Sequence, residues 1–106
     1  MDIIFGRENA DKLREQYIVL DLETVEQDGV SIEVFCLVSG DKVSLADMMQ
    51  IDAWIKLHND FLNGYRTKQY KFCRDCIDSL KGRFGGEVDT FYDEILRRIN
   101  ESEAQV

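Results

Sequence analysis

Two cysteines separated by two residues, Cys73 and Cys76, are the side chains of this chain with the clearest chemical potential. A Cys-x-x-Cys pair works as a redox dithiol when a helix N-terminus lowers the pKa of a thiol. The same two thiolates, joined by Cys36 and His58, would form a Cys3His set of the kind that binds zinc. Two thiol chemistries are therefore candidates, and each needs particular surroundings.

The predicted surroundings favour neither chemistry. Thr67 is a suitable N-cap for the helix that carries both cysteines, which places Cys73 in the second turn, where the effect of the helix dipole fades. Cysteines at i and i+3 on a helix lack the turn of a zinc knuckle. Cys36 alternates with valines, and His58 falls in a helical stripe. We therefore interpret the thiols as small buried side chains in a helix–helix contact, and we expect no cofactor.

The chain that positions these residues has 106 residues, a length that fits a single domain. Its 44% hydrophobic and 32% charged residues are typical of a soluble globular protein. The net charge of -8 disfavours direct binding to nucleic acid. No apolar run is long enough for a membrane helix, and the N-terminus lacks the basic residues of a secretory signal. We expect a cytoplasmic protein with reduced thiols.

A β-rich part is predicted for residues 1–45. Residues 17–25 and 30–38 alternate with the period of a strand, and Asp28-Gly29 between them is a strong hairpin signal. On this alternation Asp21 and Glu23 share a solvent face. Residues 2–5 are a candidate short strand, and residues 8–15 are a candidate short helix. Residues 43–45 either form a further strand or lead directly into the helices.

A helical part is predicted for residues 51–100, where the apolar period changes to 3.6 and indicates three amphipathic helices. The second helix should begin after Thr67 and end at Gly85-Gly86. Strands followed by helices indicate the α+β class. We expect an N-terminal β hairpin, with up to three strands and a short helix, packed on a C-terminal three-helix unit.

Residues 65–80 resemble one helix pair of the tetratricopeptide (TPR) family. That family has two aromatics five residues apart, followed by small or apolar residues at fixed spacing, and the corresponding positions here are Tyr65, Tyr70, Cys73, Ile77 and Leu80. Lys68 stands where the family has a turn glycine, and the closing proline is absent. Because such repeats are stable only in stacks, the resemblance implies a pair capped by the hairpin or by another chain.

The whole chain resembles small proteins of tailed phages that infect marine bacteria. The resemblance rests on its Lys-Leu-His, Tyr-Arg-x-Lys and Phe-Gly-Gly-Glu-Val-Asp-x-Phe-Tyr segments. It implies a phage or bacterial origin, with the protein acting inside the bacterial or phage-infected host cell, and it implies no activity.

The stretch around Asp21, Glu23 and Thr24 resembles the first motif of DEDD-type 3′–5′ exonucleases, in which Asp and Glu on the first strand bind two metal ions. That fold needs a longer chain with further aspartates on later helices. Here the strand turns back at Asp28-Gly29. We therefore interpret the two acids as a solvent-facing pair.

A non-enzymatic protein-interaction or assembly module is the function that the sequence favours. No Ser-His-Asp set or glycine-rich phosphate loop is present. Aromatic residues exceed the needs of one small core. Either all of them are core residues, or some line a groove or an interface with another protein or a second copy. The candidates are Trp54, Tyr65, Tyr70, Phe84 and Tyr92. The alternatives are a metal-binding or redox protein, and an acidic nucleic-acid mimic that inhibits a DNA-binding protein.

Overall fold

The computed structural model describes residues 1–105, which form a three-stranded antiparallel sheet followed by a helical half. The strands are β1 (Asp2–Phe5), β2 (Ile18–Gln27) and β3 (Val30–Val38), and the helices are α1 (Arg7–Leu13), α2 (Leu45–Met48), α3 (Ile51–Arg66), α4 (Tyr70–Leu80) and α5 (Asp89–Ala104). The predicted α+β class is confirmed, with three strands, a short N-terminal helix and three long C-terminal helices. None of the described helices is both long and apolar enough to cross a bilayer.

The hairpin of β2 and β3 forms where the alternation predicts it. Asp28 and Gly29 have φ angles of 54° and 79°, and positive φ at both central residues is the geometry of a type I′ turn, which matches the twist of the flanking strands. The third strand is β1, which pairs with β3 on its other side, so that the strand order is β1-β3-β2. β2 is therefore an edge strand.

A β-bulge in β2 changes which residues share a face of the sheet. Asp21 is opposite Phe35, but Glu23 is opposite Val34, so Leu22 has no cross-strand partner. An extra residue reverses the alternation of side chains beyond it. The prediction that Asp21 and Glu23 share a solvent face is wrong for this reason, since the two acids lie on opposite faces.

The two faces of the sheet have different coverings. α1 packs on one face, the outer face, where Ala10, Val19 and Phe35 are buried together. The long helices cover the other face, the helix face, where Leu20 and Cys36 belong to the main core. The sheet is thus the middle layer between one short helix and three longer ones.

Thr67 ends a helix and does not begin one, contrary to its predicted role as an N-cap. Its hydroxyl donates to the carbonyl oxygen of Asn63 over 2.9 Å, at the end of α3. Lys68 then has a positive φ of 61°, and α4 begins at Tyr70. Cys73 therefore lies in the first turn of α4, nearer the helix N-terminus than expected.

Residues 43–45 form no strand and lead into the helices, the second of the two possibilities for this stretch. Ser44 caps α2 by accepting a hydrogen bond from the amide of Asp47. The predicted end of the second long helix is wrong, because α4 ends at Leu80, well before Gly85-Gly86.

The link between α4 and α5 makes a close backbone contact with the residues that follow the sheet. Phe84, Gly85 and Gly86 have φ angles of 54°, 67° and 75°, and the burial of the Phe84 ring holds that bulky residue in an unfavourable region. A Cβ at Gly85 would overlap the carbonyl group of Lys42. Only glycine fits the backbone at this position.

Replacing Gly85 with alanine should destabilise the protein more than the same change at Gly82. Both residues have positive φ, at 67° and 85°, so both variants carry the strain of a left-handed alanine. Only Gly85→Ala adds the overlap with Lys42, and overpacking of this kind costs about 1–3 kcal/mol. Urea unfolding measures the difference in the free energy of unfolding, and equal losses would contradict the close contact.

Candidate functional site

All three thiols are buried, and burial raises their pKa values. The side chains of Cys36 and Cys73 are fully buried and that of Cys76 is nearly so. Burial raises the pKa of Cys36 and of Cys76 to about 11, and it raises the pKa of Cys73 as well, despite its place in the first turn of α4. Near neutral pH the groups are therefore thiols, which are neither nucleophiles nor metal ligands.

Cys73 lies in the contact between α3 and α4. A Cβ at Gly64 in α3 would lie 3.4 Å from the Cys73 sulfur, and that sulfur is 3.7 Å from the carbonyl oxygen of Phe61. A small side chain is needed at such a contact. The Cys-x-x-Cys spacing here belongs to one buried helix face.

The four candidate metal ligands do not come together. Within residues 1–105, no group of three or more His, Cys, Asp or Glu side chains has the arrangement to hold a metal ion. Both ring nitrogens of His58 already have hydrogen-bond partners. Asp21 and Glu23, the exonuclease-like pair, lie on opposite faces of the sheet and are paired with arginines.

The native protein should react slowly with an aromatic disulfide reagent at pH 8, because the thiols are buried and protonated. After denaturation in guanidinium chloride, three thiols per chain should react at once, since the chain contains three cysteines. Absorbance of the released thiolate measures both phases. Rapid reaction of one or two thiols in the native protein would contradict their burial.

His58 is a fully buried polar side chain that joins three elements. Its Nε2 lies 2.6 Å from the carbonyl oxygen of Asp21 in β2, and its Nδ1 lies 2.8 Å from the hydroxyl of Tyr92 in α5. Because a carbonyl oxygen only accepts, Nε2 carries the proton, and the Tyr92 hydroxyl donates to Nδ1. A neutral imidazole thus satisfies both bonds, and it ties α3 to the strand at its bulge and to α5.

The surroundings of His58 keep it neutral. The rings of Phe61, Phe84 and Tyr92 surround it with centroids 6.1, 6.2 and 5.7 Å away. Burial lowers the pKa of His58 below its ordinary value, and the hydrogen bond to Asp21 opposes this effect more weakly. The folded state therefore resists protonation of this group.

Stability should fall as the pH drops below about 6.5, the pKa of histidine in an unfolded chain. The folded-state pKa is lower, so the unfolded state binds more protons between the two values, and stability decreases with falling pH by at most about 1.4 kcal/mol per unit. The chain has one histidine, so His58→Gln, which keeps a donor and an acceptor, should remove this slope. Urea unfolding between pH 7 and pH 5 tests it, and the same slope in both proteins would contradict the assignment.

The five aromatic residues predicted for an interface divide into two groups. Phe84 and Tyr92 are completely buried and are core residues. Trp54, Tyr65 and Tyr70 are partly exposed and pack on the edge of the core. Only the second group can contact another molecule.

Trp54 is covered by a neighbouring ion pair. The guanidinium of Arg83 lies 4.1 Å from the centre of the indole ring, and it also bonds to Asp47 over 2.8 Å. The indole nitrogen is buried and has no hydrogen-bond partner within residues 1–105. A cation over the ring leaves little of this aromatic face for a partner.

Tyr65 lines a groove of about 370 Å³ between β2 and the end of α3, termed the β2–α3 groove. The groove is lined by Leu22, Glu23, Thr24, Leu62, Tyr65 and Arg66. Glu23 is held by Arg98 at 2.8 Å, and Arg66 forms no ion pair with any other described residue. This groove therefore brings one of the predicted aromatics to a concave surface.

An uncovered apolar patch lies on the helix face of the sheet, beyond the reach of the helices. Pairing in the sheet places its members on that face. We term it the apolar overhang, and its members are Ile3 (41% exposed), Phe5 (59%), Val25 (36%) and Val30 (58%). Sequence reasoning identified the apolar alternation of β3, but alternation does not show where the covering helices end.

Acids without a compensating base surround the turn of the hairpin. The sequence has no lysine or arginine between Arg14 and Lys42. Arginines of other elements pair with three acids of this stretch, in the pairs Glu33–Arg7, Asp21–Arg14 and Glu23–Arg98. Glu26 and Asp28 form no ion pair with the rest of the described chain, so the projecting end of the hairpin is negative.

Comparisons of this chain with protein-family models, with curated proteins and with solved structures find no match. The function therefore has to be argued from the thiols, the buried histidine, the β2–α3 groove and the apolar overhang.

Proposed function

We propose that the protein is a non-enzymatic interaction module that binds another protein through the apolar overhang and the adjacent β2–α3 groove. The overhang carries the proposal. Its four side chains share one face of the sheet and are exposed to water, although Leu20, Cys36 and Val38 on the same face are buried beneath the helices. Burying such a patch under a partner contributes about 25 cal/mol of favourable binding free energy for each Å² of apolar surface removed from water. Exposed apolar patches are typical of interaction sites.

The groove supplies a polar rim beside the apolar surface. Tyr65 offers an aromatic ring with a hydroxyl group, and Arg66 offers a guanidinium without an ion pair in the described chain. Tyrosine and arginine are enriched at protein interfaces. An apolar centre with this rim matches the general anatomy of such interfaces.

The remaining chemistry favours binding over catalysis. Burial and raised pKa values of the three cysteines weigh against the metal or redox alternative, and the engagement of both nitrogens of His58 weighs against its use as a general base. The TPR-like pair and the resemblance to tailed-phage proteins extend the proposal to an assembly or accessory factor inside a bacterial or phage-infected cell.

Replacing Phe5 and Val30 together with threonine should abolish partner capture. Threonine suits a strand, and both side chains are at least half exposed, so folding should be little affected. The measurement is capture from a native lysate by immobilised protein, with mass spectrometry of the retained proteins. We expect the amount of retained partner to fall at least about tenfold, as for residues at the centre of an interface.

The matched control is Leu45→Ser with Met49→Ser, because these two apolar side chains are each 78% exposed but lie outside the sheet. It should retain the partner. Equal losses in the two double variants would contradict a specific role for the overhang. A strictly monomeric wild-type protein that retains no partner would contradict the proposal as a whole.

A further inference from the structure

The free edge of β2 presents backbone groups that have no partner strand among residues 1–105. The amide of Gly6 donates to the carbonyl oxygen of Glu33 over 2.8 Å, which shows that the backbone groups of Glu33 are directed toward β1. Thr24 is the cross-strand partner of Glu33. In an antiparallel ladder the backbone groups of such a partner are directed away from the shared ladder. Thr24 and, two residues further, Glu26 therefore present N–H and C=O groups at the free edge.

The first half of this edge is already covered. The guanidinium of Arg14 donates to the carbonyl oxygen of Val19 over 3.2 Å, and His58 donates to that of Asp21 over 2.6 Å. In the described part of the chain, no side chain bonds in the same way to the two outward-facing residues beyond the bulge. The open edge is thus confined to the projecting half of the hairpin.

The surroundings of the open edge differ on the two faces of the sheet. On the helix face it borders the β2–α3 groove, with Leu62 and Tyr65 of α3, and the exposed side chain of Val25. On the outer face it carries Glu26, and Asp28 follows in the turn; neither has an ion pair among residues 1–105. A strand laid along this edge would therefore meet apolar contacts on one side and negative charge on the other.

We propose that the edge at Thr24 and Glu26 accepts an extended segment of a partner protein as a fourth strand, with apolar side chains on the helix face and lysine or arginine on the outer face. This inference rests on the proposed function and names the mode of binding. Backbone hydrogen bonds to an edge strand supply affinity, and alternate side chains supply specificity. Complementary charge at Glu26 selects a basic segment.

A second copy of the chain does not fit this edge. Pairing two β2 strands would bring a second pair of unneutralised acids, Glu26 and Asp28, toward the first pair, and the hairpin itself contains no lysine or arginine to oppose them. Charged side chains on an edge strand are a common protection against such self-pairing. The same acids that oppose a second copy attract a basic partner.

The test uses the full ¹⁵N-labelled chain and a blocked synthetic peptide of alternating lysine and valine. Titration followed by NMR should shift the amide signals of residues 23–27 and of Tyr65, and added salt should weaken binding. A peptide of alternating glutamate and valine should not bind. Shifts confined to other parts of the chain, or equal binding of both peptides, would overturn the proposal.

Thr24→Pro removes the outward N–H and places a ring on the edge, a position that tolerates proline because its amide is outside the ladder. It should lower the affinity for the lysine–valine peptide by about tenfold relative to Thr24→Ala, since one hydrogen bond is lost and the edge is obstructed. Equal affinities would overturn the proposal. Glu26→Lys gives a second test that does not depend on proline. This variant should bind the glutamate–valine peptide more tightly than the lysine–valine peptide.

The outcome is separable from that of the proposed function. If capture of a partner requires Phe5 and Val30 but is unchanged by Thr24→Pro, the interaction module is supported and strand addition is overturned. Concentration-dependent shifts of residues 23–27 in the absence of peptide would overturn the choice of occupant, because they would show that a second copy occupies the edge.

Discussion

Two hydrogen bonds of the buried His58 side chain determine how the sheet and the helices meet. One joins α3 to the backbone of β2 at Asp21, and the other joins α3 to α5 through Tyr92. An unpaired buried polar group costs about 1–3 kcal/mol. Both hydrogen bonds of the ring form only when α3, β2 and α5 are all in place. The neutral imidazole therefore acts as a structural link, because both of its ring nitrogens form hydrogen bonds that hold the core together.

The bulge beside this link connects the core to the proposed binding surface. Because Leu22 has no cross-strand partner, the alternation of β2 is reversed beyond it. Val25 comes to the helix face, where it extends the apolar overhang, and Glu26 comes to the outer face. Without the extra residue these two side chains would exchange faces, and the helix face of the hairpin would carry Glu26 in place of Val25.

The sequence predicted those features that depend on local spacing. Period-2 alternation and Asp28-Gly29 identified the hairpin, and the 3.6-residue period identified the long helices. The bulge at Leu22 was missed because it depends on pairing with β3. The role of His58 was missed because its partners are 34 and 37 residues away in sequence. The overhang was missed because the end of helix coverage is a property of packing between the two halves of the chain.

The central claim is that the bulge reverses the alternation of β2 beyond Leu22, so that Thr24 and Glu26 present their backbone groups at the free edge. Backbone amide hydrogen exchange of the free protein, measured residue by residue by NMR, tests this most directly. The account predicts slow exchange at Glu23 and Val25, whose amides are directed toward β3, and fast exchange at Thr24 and Glu26. Equal protection of these four amides, or the opposite alternation, would contradict it.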